Sequence, residues 1–132
     1  YYLQNTLSKN GKVNRGICEI ENNFLISIEE KIGLTKDNTE GQNPPVSMNF
    51  WGFQTSIFTF IQQLFTQFLK YHQNKGDEFL LGDVVSYIIN NKIENFEVIQ
   101  SEQQWHGITY KDDKAHTHNV LCKLQYPTNL WS

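Results

Sequence analysis

The chain has 132 residues, the size of one domain. Its 39% hydrophobic and 19% charged residues, with only 3 Pro and 8 Gly, exclude a long disordered chain, a collagen-like repeat and a linker. Eleven basic against fourteen acidic residues give a net charge of −3, which excludes the basic footprint of a general nucleic-acid binder but leaves room for a compact phosphate site.

The N-terminal Tyr1-Tyr2-Leu3-Gln4-Asn5 is not a signal peptide and lacks an initiator Met. The expectation is a chain that begins after processing or inside a longer protein. No 18-residue apolar run occurs, so no membrane span is expected. Cys18 and Cys122 are too far apart for a zinc-ribbon pattern and are expected as two buried free thiols, with a disulfide the alternative in an exported protein.

From Arg15 to Glu30 the pattern predicts an antiparallel hairpin. Ile17, Cys18 and Ile20 precede the turn Glu21-Asn22-Asn23, and Phe24, Leu25, Ile26 and Ile28 follow it. At its far end stands Glu29-Glu30-Lys31. Strand alternation turns Glu30 away from Glu29 and Lys31. These residues are either a solvated strand end or a polar site, with an acid for sugar hydroxyls and a lysine for a phosphate. Gly33 to Pro45 reads as a loop, and at about 13 residues it is long for a purely structural connection.

Val46 to Phe53 predicts a strand in the middle of a sheet, apolar on both faces. Ser47 and Asn49 then share a side and could reach a sugar or base hydroxyl, or bond internally. Ile57, Ile61, Leu64 and Phe68 recur at helical spacing, so a helix is expected from about Thr55 to Tyr71, with Thr55 or Ser56 as its cap. A second helix begins at Gly82-Asp83, buries Val84, Val85, Ile88 and Ile89, and stops at Asn90-Asn91. Phe96, Val98 and Ile99 read as a strand, and Trp105 to Ile108 as a short strand or strand end. A last helix is expected from Lys111 to about Leu124, with Val120, Leu121 and Leu124 inward. Asp112 and Asp113 at its start either favour the helix dipole or act as ligands. His116 and His118, two apart on a helix, do not face each other. The alternation of strands and helices predicts an α/β fold.

No GxGxxG, Walker A or HExxH is present. The strings Asn5-Thr6-Leu7-Ser8, Val13-Asn14-Arg15-Gly16-Ile17-Cys18, Val46 to Phe53, Glu78 to Val85 and Trp105 to Asp113 occur in that order. Together they resemble the C-terminal half of bacterial nucleotidyltransferases of the nucleoside-diphosphate-sugar pyrophosphorylase group, over about Asn5 to Asp113. The resemblance implies part of a Rossmann-like α/β/α sheet with an antiparallel hairpin, and a cytoplasmic enzyme. It implies that residues 1–132 are the acceptor-binding half of the domain. It also implies a reaction in which a sugar phosphate, or phosphocholine in some relatives, attacks the α-phosphorus of a nucleoside triphosphate and releases pyrophosphate, with Mg2+ on the phosphates.

Carried over by resemblance, Glu30 and Lys31 contact the sugar and its phosphate, Ser47, Met48 and Asn49 line the sugar pocket, and Trp105 belongs to the acceptor site. Two positions depart from the group. Ile32 stands where a proline is common. Gly107 stands where many relatives carry a metal aspartate, leaving Asp112 or Asp113 as the substitute metal ligands. No stretch resembles the group's glycine-rich nucleotide loop or its first metal aspartate, so the chain alone is expected to be inactive and to bind magnesium weakly. The competing expectations are a non-catalytic module for a phosphorylated sugar or phosphocholine, and an interaction domain whose exposed apolar face self-associates.

Overall fold

The computed structural model describes residues 1–72, 74–108 and 110–123. Its frame is the hairpin of β1 (Val13–Glu21) and β2 (Phe24–Leu34). Asn22 and Asn23 form the two-residue turn at φ 51° and 67°. The mirror-image turns that match strand twist require this left-handed backbone, and asparagine tolerates it. The hairpin is longer than its apolar core predicts, and β2 runs on through Lys31 to Leu34. β3 (Val46–Ser47) pairs antiparallel with the other edge of β1, so the sheet order is β2-β1-β3. The described fold is therefore mixed α/β around a three-stranded antiparallel sheet with three α-helices.

The expected strand Val46–Phe53 ends after two residues. Asn49 turns into the left-handed region at φ 55°, which breaks the strand alternation. Phe50 is 98% exposed as a result, and Trp51 and Phe53 leave the sheet to stack at 5.8 Å. Both rings meet Phe96 edge-on, at 6.1 and 5.9 Å. The expected strand at Phe96–Ile99 reduces to a short pairing along β2. Leu25 N–H donates to Phe96 O at 2.9 Å, Val98 N–H donates to Asn23 O at 2.8 Å, and Ile99 stays in solvent.

Two apolar clusters hold these pieces. Leu3, Leu7, Val13 and Val46 form the first, against Ile17 and Leu34. The N-terminal 3₁₀ turn Leu3–Thr6 closes it, anchored by Leu3 N–H on Pro44 O at 2.9 Å. The second joins α1 (Ile57–Tyr71) and α2 (Leu81–Asn90) through Ile57, Val84 and Ile88, with Ile61 and Leu64 packed on it. Val84, Val85 and Ile88 are fully buried, as their spacing predicts. α2 also lies on the sheet, where Ser86 Oγ donates to Ile28 O at 3.1 Å. Ser56 precedes α1, yet its hydroxyl donates to Glu94 Oε1 at 3.0 Å instead of capping the helix. The outer side of α1 leaves Phe58, Leu69 and Tyr71 exposed.

α3 spans Asp113–Leu121. Its buried residue is Thr117, whose hydroxyl donates to Gly107 O at 3.0 Å, whereas Leu121 is exposed. This differs from the expected inward face because α3 has no continuous apolar stripe. Leu124 and Thr109 lie outside the described residues. Both cysteines are free, Cys18 half-buried and Cys122 exposed rather than buried. Among the described residues no helix is long and apolar enough to cross a membrane.

The long loop is shorter and better held than expected. It starts after Leu34, contains a 3₁₀ turn at Asp37–Thr39, and buries Thr39. The Gln4 amide donates to Thr39 O and Gln42 O at 3.0 and 2.9 Å, which pins it to the N-terminal turn.

Candidate functional site

Face alternation along the hairpin creates the site. On β1, Val13 and Ile17 turn toward the first apolar cluster. Gly16 lies on the opposite face with Ile28 and Glu30, its cross-strand partner. A Cβ on Gly16 would lie 2.9 Å from Ile28 Cδ1, so glycine lets that side chain lie across the strand. The first turn of α2, Leu80 to Asp83, and the β3 exit, Ser47 to Asn49, wall the space above. The result is a cleft of about 280 Å³.

Glu30, Ser47, Met48, Asn49 and Trp105 all line this cleft. They come from three separate stretches of chain. Lys31 does not line it. It forms an ion pair with Glu29 at 2.7 Å, both side chains in solvent. Ser47 Oγ accepts the Asn49 N–H at 3.1 Å and shapes the turn that carries Asn49. Ser47 and Asn49 thus reach the same cleft through a turn, not through a shared strand face.

Arg15 and Asp83 complete the lining. The Arg15 guanidinium is tightly framed. Its Nε donates to Thr6 Oγ1 at 3.1 Å, one terminal nitrogen donates to Asn14 O at 2.7 Å, and the other donates to Thr6 O. It lies 5.3 Å from the centroid of the Trp105 ring, in cation–π range. The string Asn5-Thr6 explains why this pairing is held. Thr6 fixes Arg15, while Asn5 O accepts the Trp105 N–H at 2.9 Å and the Gln104 amide at 2.6 Å. Burial lowers the Arg15 pKa, and Glu30 opposes that shift. Burial also raises the Glu30 carboxyl above its ordinary range. Arg15 works against this rise, and Asp83 and then Glu78 add to it.

Asp112 and Asp113 belong to a second, larger cavity of about 520 Å³, which shares Trp105 as a wall. Asp113 is engaged structurally. Its carboxylate accepts the Tyr110 N–H at 2.8 Å and the Asn10 amide at 2.6 Å. The first bond closes the turn that leads into α3. Asp112 is exposed and makes no side-chain capping bond. His116 faces this cavity with its ring 5.7 Å from that of His106, whereas the His118 ring lies 3.6 Å from Cys122 Sγ. Among the described residues no three His, Cys, Asp or Glu side chains gather where they could share a metal ion. Among the described residues, Asp112 and Asp113 have no third such side chain beside them.

Gly107 has a steric reason. A Cβ there would fall 1.7 Å from Trp105 Cη2, so any side chain at 107 displaces the tryptophan that lines both cavities. Local pattern gives Arg15 no role and places Asp83 only at the start of a helix. The signal available for Arg15 was its place between Asn14 and Gly16, on a strand paired with the one carrying Glu30. No family model matches the chain, and no curated protein matches it.

Proposed function

We propose that the chain is the acceptor side of a nucleotidyltransferase of the nucleoside-diphosphate-sugar pyrophosphorylase type. The smaller cleft receives the phosphorylated acceptor, a sugar phosphate or phosphocholine. The observation that carries this reading is convergence. Glu30, the stretch Ser47-Met48-Asn49 and Trp105 are distant in sequence, and all border one cleft.

In this reading Glu30 and Asn49 bind the acceptor's hydroxyls or its cationic head, and Trp105 and Met48 supply apolar wall. The acceptor phosphate attacks the α-phosphorus of a nucleoside triphosphate in line, and pyrophosphate leaves. The nucleotide loop and the magnesium ligands come from sequence other than these 132 residues, and bound magnesium would neutralise charge on the phosphates. The antiparallel strands are then one edge of a larger Rossmann-like α/β/α sheet, in a cytoplasmic enzyme that draws on triphosphates.

The test is calorimetric titration of the chain with phosphocholine and a hexose 1-phosphate, beside choline and the free hexose. Saturable binding of a phosphorylated acceptor, weakened in Asn49→Ala, supports the reading. No binding of either phosphorylated compound overturns it. The chain alone, mixed with nucleoside triphosphate and acceptor, is expected to release no pyrophosphate.

A further inference from the structure

We propose that Arg15 is the residue that holds the acceptor's phosphate in the smaller cleft, in the place that the resemblance gives to Lys31. This rests on the acceptor reading above and assigns the charge within it. A phosphate monoester carries close to two negative charges at neutral pH and needs a cation. Among the described residues lining the cleft, Arg15 is the one cation, while Glu30 and Asp83 are acids. Lys31, although it is the cross-strand partner of Arg15, does not line the cleft and is paired with Glu29 in solvent. The first turn of α2 also borders the cleft and offers backbone N–H groups, but Asp83 already occupies that turn and offsets the positive end of the helix dipole.

Arg15 is also prepared for the task. A guanidinium has five N–H donors in a rigid fork that matches phosphate oxygens. Three of them are spent on Thr6 and Asn14, and these bonds, with the Trp105 ring, fix the plane of the group. Two N–H donors remain without a protein acceptor among the described residues. Holding such a group still before the ligand arrives removes much of the ordering cost of binding. The two acids then face the rest of the ligand, as acceptors for hydroxyls or as counter-charges for a quaternary ammonium.

The experiment follows the Arg15 Nε–H and Lys31 side-chain resonances by NMR during titration with phosphocholine, a hexose 1-phosphate and inorganic phosphate. Calorimetry of Arg15→Gln, Arg15→Lys and Lys31→Gln runs beside it. The expected result is a saturable shift at Arg15 and a loss of about 10- to 100-fold in affinity for phosphorylated ligands in Arg15→Gln, the range of a charge-assisted hydrogen bond. Arg15→Lys keeps the charge and loses the fork, so a smaller loss is expected there. It carries the variant test if circular dichroism shows Arg15→Gln unfolded. Lys31→Gln should stay within about twofold of the parent.

A shift at Arg15 with inorganic phosphate alone supports its anion role and overturns the acceptor reading. Binding of a phosphorylated acceptor that leaves Arg15 unmoved, or that Lys31→Gln weakens as much as Arg15→Gln, overturns the proposal and leaves the acceptor reading standing. No binding of any of the three overturns both.

Discussion

Gly107→Ala is the sharpest perturbation the structure offers. The new Cβ would stand 1.7, 2.3 and 2.5 Å from Cη2, Cζ3 and Cζ2 of Trp105. Unstrained carbon contacts lie near 3.5–4.0 Å, so the indole must move by roughly 2 Å. The Trp105 backbone is tied to Asn5 O, so the motion falls on the side chain and carries the ring off the Arg15 guanidinium. Overpacking of this kind costs about 1–3 kcal/mol, and a lost cation–π contact at a part-exposed site adds about 0.5–1 kcal/mol. A destabilisation of about 1.5–4 kcal/mol is therefore expected in urea unfolding followed by circular dichroism. The Trp105 indole N–H resonance should move at the same time, because its surroundings change. Gly107→Asp, which puts an acid at this position, meets the same wall and should not gain magnesium affinity. A Gly107→Ala chain within about 0.5 kcal/mol of the parent, with an unmoved Trp105 resonance, would refute the steric account.

Four further outcomes are expected. Ile88→Ala empties a fully buried position between α1 and α2 and should cost about 2–5 kcal/mol in the same unfolding assay. Asn23→Ala forces alanine into the left-handed region at φ 67° and should cost about 1–2 kcal/mol, while Asn23→Gly should be nearly neutral. Glu30 has its pKa raised on folding, so its contribution is greatest below the ordinary carboxylate range and is lost as pH rises through the folded value. Glu30→Gln should therefore stabilise the chain at neutral pH and lose that advantage in acid, read from thermal melts across pH. The exposed Cys122 should react with iodoacetamide well before Cys18, whose thiol burial pushes upward against smaller opposing effects of the Ser47 backbone and the N-terminal charge; equal labelling rates would contradict this.

Local pattern reached far into this chain. The Asn22-Asn23 turn, the helical spacing from Ile57 to Phe68 and the buried Val84, Val85 and Ile88 were all legible, because turn chemistry and apolar periodicity act within a few residues. The turning of Glu30 away from Glu29 and Lys31 followed from strand alternation alone. The aromatic run from Val46 to Phe53 misled. Its composition suits a central strand, but Asn49 breaks the extended backbone and the rings pack with Phe96 instead. α3 misled in the opposite way. A polar residue, Thr117, is the buried one because it bonds Gly107 O, and no apolar spacing announces that.

By itself the sequence determined the hairpin and the two longer helices. It also named Glu30, Ser47, Asn49 and Trp105 as residues to watch. Only the tertiary structure decided which of its candidates meet. Thr6 and Asn5 bring Arg15 and Trp105 together, the left-handed turn at Asn49 delivers the β3 exit to the same cleft, and Lys31 is left outside. The physical reason is range. Propensity and periodicity are written in neighbouring residues, whereas a cleft is built from contacts such as that between Asn5 and Trp105, far apart in the chain, and each such contact depends on packing that no single segment contains.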